Sequence, residues 1–158
     1  MTLVIRRATV EDIPRLMPLA ERFRDHVAMR DVPLDEIERS LHHVLALDTG
    51  IAFYYERAAT IYGVIVGVET TTWFSRDVKL AAELAWWIDP EWRRSPAAIR
   101  LLEAFESWAH ERGCRYAVTH SIDTEEGGSK PADSILTRLG WARREQTYAK
   151  EIDHARVL

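Results

Sequence analysis

Apolar residues recur with two different periods along this chain, and the changes of period mark its elements. Leu3 to Arg7 reads as a short strand. Thr9-Val10-Glu11-Asp12 has the form of a capping box, and Ile13, Leu16, Ala20, Phe23 and Val27 then share one face of a helix. A loop from about Ala28 to Leu34 leads to a second helix that begins near Asp35. Its stripe is Ile37, Leu41, Val44 and Leu45, and it stops by Gly50. Ile51 to Glu56 and Ile61 to Val68 are β-rich runs joined by a short turn, a hairpin whose second strand extends toward Trp73. Ser75 to Lys79 is polar and turn-like, and an apolar strand ending at Ile88 follows. The central helix runs from about Pro96 to Arg112 and buries Leu101, Leu102, Phe105, Trp108 and Ala109. Ser95 fits its N-cap, Pro96 its first turn and Gly113 its stop. Tyr116 to Ile122 is the next strand, and Asp123 to Gly128 an acidic loop. Ser129 or Lys130 opens a short helix through Leu139, and Thr147 to Ile152 lie in a last strand. This order predicts a mixed α/β sheet with helices on both faces, the strands before and after the central helix being parallel.

Composition narrows the class. A chain of 158 residues, 47% apolar and 29% charged, suits one globular domain spanning residues 1–158. A formal charge of −4 argues against binding nucleic acid, which rests on a basic excess. No apolar run is long enough to span a bilayer, and Arg6 and Arg7 lead into an acidic helix start rather than a signal peptide, so a cytoplasmic protein without membrane association is expected. The single cysteine, Cys114, rules out an internal disulfide and a multi-cysteine metal site. The adjacent His42 and His43 diverge on a helix surface, so no metal is expected.

The chemistry is concentrated in Glu83-Leu84-Ala85-Trp86-Trp87-Ile88-Asp89-Pro90-Glu91-Trp92-Arg93-Arg94-Ser95-Pro96-Ala97-Ala98. An apolar strand enters a turn carrying Arg93 and Arg94, and a helix begins at once. Helix N-terminal amides with guanidinium groups beside them suit a phosphate. A capped helix with solvated arginines is the plainer reading of the same residues. The segment resembles the cofactor core of the GNAT acyltransferase superfamily, in which a strand, a loop of the form Arg/Gln-x-x-Gly-x-Gly/Ala and a long helix hold the pyrophosphate of acetyl-coenzyme A. Glu-Leu-x-Trp-Trp-Ile-Asp-Pro-Glu-Trp looks most like ribosomal-protein N-terminal acetyltransferases and small phage or prophage members. Ile135 to Trp141 resembles the helix ending in Leu-Gly-aromatic before the last strands, and Ile5 to Asp12 the usual opening. The resemblance covers roughly the whole chain up to Ile152. It implies a GNAT-like sheet of about six to seven strands with about four helices.

The resemblance also assigns roles. The pyrophosphate falls to Arg93, Arg94, the Ser95 hydroxyl and the amides of Ala97 and Ala98. Pro96 stands on the first loop glycine and lacks an N–H. The backbone of Trp87 and Ile88 pairs with the pantetheine arm, and the next strand splays to admit it. Ser129 stands where many members carry an Asn that touches the arm. Glu83 matches a Glu common in the resembling subset and is the candidate base, with a rim glutamate as the alternative. His120 is a second base or a structural histidine. The family's thiol-protonating tyrosine falls on Leu136, which leaves Tyr148 as the candidate acid. Trp73, Trp86, Trp87 and Trp92 line an acceptor pocket, the core or a subunit interface, so a homodimer stays open. The implied function is acetyl transfer from acetyl-coenzyme A to a primary amine, carried by a small molecule, peptide or protein. A degenerate GNAT domain that binds without turnover is the alternative.

Overall fold

The computed structural model describes residues 4–27, 31–121 and 130–145. Its elements, in chain order, are β1 (Val4–Arg7), α1 (Ile13–His26), α2 (Leu34–Ala46), β2 (Gly50–Arg57), β3 (Thr60–Thr72), β4 (Ser75–Ile88), α3 (Ala97–Glu111), β5 (Tyr116–Val118) and α4 (Lys130–Arg138). The strands form one mixed sheet in the order β1-β2-β3-β4-β5, antiparallel except for β4 and β5. The parallel pair follows from the α3 crossover between them. Among the described residues the sheet has five strands, and the last strand expected, over Thr147 to Ile152, lies outside them.

Period-2 alternation sorts the side chains of the inner strands into two cores. Ile51, Tyr55, Ile65, Ala81 and Ile88 point to α3 and meet Leu101, Leu102, Phe105 and Trp108. Their chain neighbours Ala52, Tyr54, Val66 and Trp87 point to the opposite face, against Leu16 and Leu19 of α1 and Leu41 and Val44 of α2. The helices therefore lie on both faces, as the pattern implies. Phe105 is fully buried between α3 and β3, where truncation of such a ring to Ala costs ~3–5 kcal/mol.

The capping box forms as read: the Thr9 N–H donates to Asp12 Oδ2 at 2.9 Å, and a 3-10 turn over Val10–Asp12 feeds α1. The β2–β3 turn places Ala58 at φ 49° and Ala59 at φ 64°, a left-handed pair that Asn-Gly adopts at lower cost. One boundary differs plainly. Ser75 to Lys79 is strand rather than turn, and only Trp73 and Phe74 connect β3 to β4. β2 pairs no further than Gly50 with Val68 and β5 no further than Tyr116 with Leu80, so Thr71 and Thr72 with Ser75 to Lys79 form a two-stranded arm with little cover on its faces. Polar residues suit such a strand, and their run disguises it.

Candidate active site

The site is built on the edge that β4 turns toward β5. Leu80 pairs with Tyr116, Ala81 with Ala117 and Ala82 with Val118, and the ladder ends there. β4 continues to Ile88, so among the described residues its edge from Glu83 onward has no neighbouring strand. A bulge at Leu84 accompanies the parting, since Val66 lies opposite Ala85 while Gly67 lies opposite Glu83. Glycine is needed opposite the fork. A Cβ on Gly67 would stand 2.5 Å from Phe105 Cε2 and 2.8 Å from the Ala82 carbonyl oxygen.

Backbone parity decides which groups the open edge offers. The Asp89 N–H donates to the Tyr62 carbonyl at 2.8 Å, and Trp87 and Ile88 lie opposite Val64 and Gly63. Backbone groups alternate sides along an antiparallel strand, so Asp89 and Trp87 face β3, whereas Ile88 and Trp86 face the open edge. The sequence pointed to Trp87 and Ile88 for this edge. The ladder leaves Ile88 in place and puts Trp86 where Trp87 was expected.

Glu83 is 4% exposed, the one buried charged residue among those described. Its Oε2 accepts from the Thr119 hydroxyl at 2.9 Å and from the His120 N–H at 2.9 Å, and His120 Nδ1 lies 3.7 Å from the same oxygen. Burial pushes the carboxyl above its ordinary value; the His120 amide, the Thr119 hydroxyl and the imidazole oppose that and do not overcome it. The His120 ring is 58% exposed, so a buried carboxylate sits beneath a solvent-facing imidazole. β5 ends at Val118 rather than at Ile122 because the next two residues bond to the Glu83 side chain instead of extending the ladder. Thr119 was not among the expected site residues. Ile122, Ser129 and Tyr148 lie outside the described residues. Leu136 packs against the α3 core.

At the far end of the open edge, a 3-10 turn over Pro90–Trp92 leads into α3, which is one residue shorter at its start than expected. Its ladder opens with the Arg100 N–H donating to the Pro96 carbonyl at 3.0 Å. The Ser95 hydroxyl donates to the Trp92 carbonyl at 2.6 Å and accepts from the Ala97 N–H at 3.3 Å. Ser95 thus caps the helix from one position further out, and neither its proton nor the Ala97 amide is left over for a phosphate. The amides of Ala98 and Ile99 precede the helical ladder and carry its positive end. Arg94 is exposed in the turn that precedes them. Arg93 turns the other way. Its Nε donates to the Ile88 carbonyl at 3.2 Å, its guanidinium lies 4.7 Å above the Trp87 ring, and its terminal nitrogen is 3.5 Å from His26 Nε2.

Beside this strand end lies an open groove of about 680 Å³, whose lining includes Arg22, Asp25, His26, Tyr62, Trp87 and Glu91. Arg22 pairs with Asp89 across it at 2.9 Å. Trp87 is held by the rings of Phe23 and His26, and Trp92 packs on Tyr62 with centroids 4.8 Å apart. Trp73 does not join this group. It stands 95% exposed at the β3–β4 turn, the opposite end of β4.

Acetyl-coenzyme A fits these residues as a group: an unpaired strand edge for an extended amide chain, and a helix start with an arginine for its phosphates. Such an open-edged strand between a bulge and a phosphate-suited helix defines an acyl-coenzyme A-dependent N-acetyltransferase of the GNAT type. Residues 15–141 match the model of the Acetyltransferase (GNAT) family, and the chain belongs to it, with acetyl-coenzyme A as its acyl donor. No curated protein sequence matches the chain. Solved structures do. An aminoglycoside acetyltransferase, HMB0005, from an uncultured soil metagenomic sample superposes with a TM-score of 0.76 at 15% identity, over 97% of this chain and 100% of its own. The aminoglycoside enzyme AAC(6')-Iy with a bisubstrate analogue gives 0.78 at 14% identity, over 97% and 99%. A ribosomal-protein-alanine N-acetyltransferase from Brucella melitensis biovar Abortus 2308 gives 0.73 at 12%, over 96% and 100%. At these identities the likeness is one of fold. Among the described residues, no helix is long and apolar enough to cross a membrane.

Proposed function

We propose that the chain acetylates a primary amine by direct attack of that amine on the thioester of acetyl-coenzyme A, with Glu83 accepting the amine proton directly or through one water. The observation that carries this reading is the buried Glu83 at the point where β4 and β5 part. An amine with a pKa near ~10.4 must lose a proton before it attacks, and a carboxylate whose pKa is raised by burial is a stronger base than a free one. His120, exposed and 3.7 Å away, passes the proton between Glu83 and solvent. The Ile88 N–H and the backbone of Trp86 align the donor's amide arm, the Ile88 carbonyl being held by Arg93, while Ala98, Ile99 and Arg94 receive its phosphates. Bound there, the cofactor supplies an activated acyl carbon and a thiolate leaving group with a pKa of about 8.5. Tyr148, in the last strand the sequence predicts, is proposed as a substitute for the family's acid at that thiolate, and Ser129 as a contact of the arm on the family resemblance alone.

Cys114 is a poor alternative nucleophile. It follows α3 at the closed end of the sheet, and burial pushes its thiol up. Features favouring a non-catalytic domain are Pro96, which lacks an N–H, the occupied Ser95, and Leu136, which stands where the family carries its thiol-protonating tyrosine. The fork itself is intact. The groove has the size of a small-molecule site, and relatives by fold are named for aminoglycosides and for a ribosomal-protein alanine, so small or N-terminal primary amines are the acceptors proposed. Thiol release from acetyl-coenzyme A is measured with sisomicin and with an alanine-ended peptide. Release with either, abolished in Glu83→Gln, is expected. Unchanged turnover in that variant would reject Glu83 as the base.

A further inference from the structure

We propose that Thr119 is a positioning residue that fixes which oxygen of Glu83 acts on the amine; this rests on the reading of Glu83 as the base. Among the described residues two donors reach the carboxylate, the Thr119 hydroxyl and the His120 N–H, and both converge on Oε2 at 2.9 Å. An oxygen that accepts two hydrogen bonds is the less basic of the pair, so the proton from the amine goes to Oε1. The backbone donor is set by the chain path of β5. The hydroxyl is the only one of the two that a side-chain change can remove.

The surroundings make that hydroxyl consequential. Glu83 lies opposite Gly67 on β3, and Phe105 of α3 packs over that glycine, so neither neighbour supplies a polar group. From β5 the titratable neighbour is His120, through Nδ1. With the hydroxyl gone, the carboxylate keeps one amide donor and is free to turn about its last torsion, a broad and weakly preferred rotation. Two effects follow together. The ionised form loses a hydrogen bond, and the other oxygen loses its fixed position.

The test compares Thr119→Val, Thr119→Ser and Thr119→Ala with the parent protein. The Glu83 carboxyl is followed by carbon-13 NMR titration, which needs no acceptor. Thr119→Val is expected to move its midpoint about one pH unit upward, the loss of one hydrogen bond to a charged group, and Thr119→Ser to return it. Thr119→Ala repeats the valine result should valine fail to fold. With acetyl-coenzyme A and a reactive amine, kcat should fall roughly tenfold in the valine variant while KM for acetyl-coenzyme A is unchanged, again with rescue by serine. A folded Thr119→Val or Thr119→Ala protein with the parent's carboxyl titration overturns the proposal. A shifted midpoint with unchanged kcat also overturns the positioning role, and it leaves the hydrogen bond standing and Glu83 itself to be judged by Glu83→Gln.

Discussion

Glu69 lies opposite the middle of the short β4–β5 contact and Glu83 just past its end, and among the described residues they differ in whether a lysine or arginine grips the carboxylate. Glu69 lies across from Ala81, where β5 still pairs, and its carboxylate is gripped by Lys79 at 2.9 Å and by Arg112, which also reaches Asp48. Those partners hold Glu69 below the usual carboxylate range. Two residues back along β3, Gly67 lies across from Glu83, which has no lysine or arginine among the described residues beside it and is raised by burial. The closed end uses an ionised glutamate to tie β3, β4 and α3 together. The open end carries a buried glutamate, held among the described residues by uncharged donors and one histidine, which we propose as the group that takes the proton. Geometry and electrostatics change at the same place along the strand.

The sharpest way to break this contrast is to neutralise each glutamate in turn. Glu83→Gln keeps an oxygen that accepts from Thr119 and His120, so the fold should hold while kcat falls by roughly 10²–10⁴-fold. Acetyl-coenzyme A affinity should change little. Glu69→Gln should leave kcat within about a factor of two, because surface ion pairs carry ~0–1 kcal/mol and none of its partners lines the open edge. Steady-state kinetics on both variants decide the matter; equal losses would show that the two ends are not functionally distinct.

A smaller effect is expected at the phosphate loop, where Arg93 is engaged with β4 and α1 and Arg94 is exposed. Arg94→Ala should weaken coenzyme A binding about ten- to hundredfold, the worth of a hydrogen bond to a charged group at ~1.5–3 kcal/mol. Arg93→Ala should cost less, since Arg93 is engaged with Ile88, Trp87 and His26. Calorimetric titration with coenzyme A ranks them, and a larger loss at Arg93 would mean that it swings toward α3 on binding.

What the sequence could and could not reveal follows the range of the interactions involved. The α3 core, the β2–β3 hairpin and the apolar strand into a phosphate-suited turn are written in local periodicity and turn chemistry, and they were legible. Glu83 was legible for the same reason, as a charge inside an apolar strand. Thr119 was not, because its role depends on two strands parting after Ala82 and Val118, which nothing near Thr119 in sequence announces. The exchange of Trp86 for Trp87 depends on the ladder with β3, and the orientation of Arg93 on a histidine at the end of α1. A polar run at Ser75 to Lys79 looks like a turn because the arm it forms has no core to face.

The smallest effect, and the one that tests the contrast directly, is the opposite pH dependence the two carboxylates should lend to stability. The Glu69 pKa is lowered by folding, so its contribution is present above the unfolded value of ~4.3 and is lost as pH falls through the folded one. The Glu83 pKa is raised by folding. Between ~4.3 and its folded value the native state holds a proton that the unfolded chain has released, so stability declines as pH rises through that window and then levels. Urea unfolding of the parent, Glu69→Gln and Glu83→Gln proteins from pH 3.5 to 8 separates these trends. Glu69→Gln should be less stable than the parent near neutrality by no more than ~1 kcal/mol, with Lys79 44% exposed, and the deficit should vanish in acid. Glu83→Gln should gain on the parent as pH rises, by an amount on the order of 1 kcal/mol, because an amide is cheaper to bury than a carboxylate. A Glu83→Gln profile that runs parallel to the parent's would mean that the fork does not hold Glu83 in a perturbed state, and the base would then have to be sought at His120.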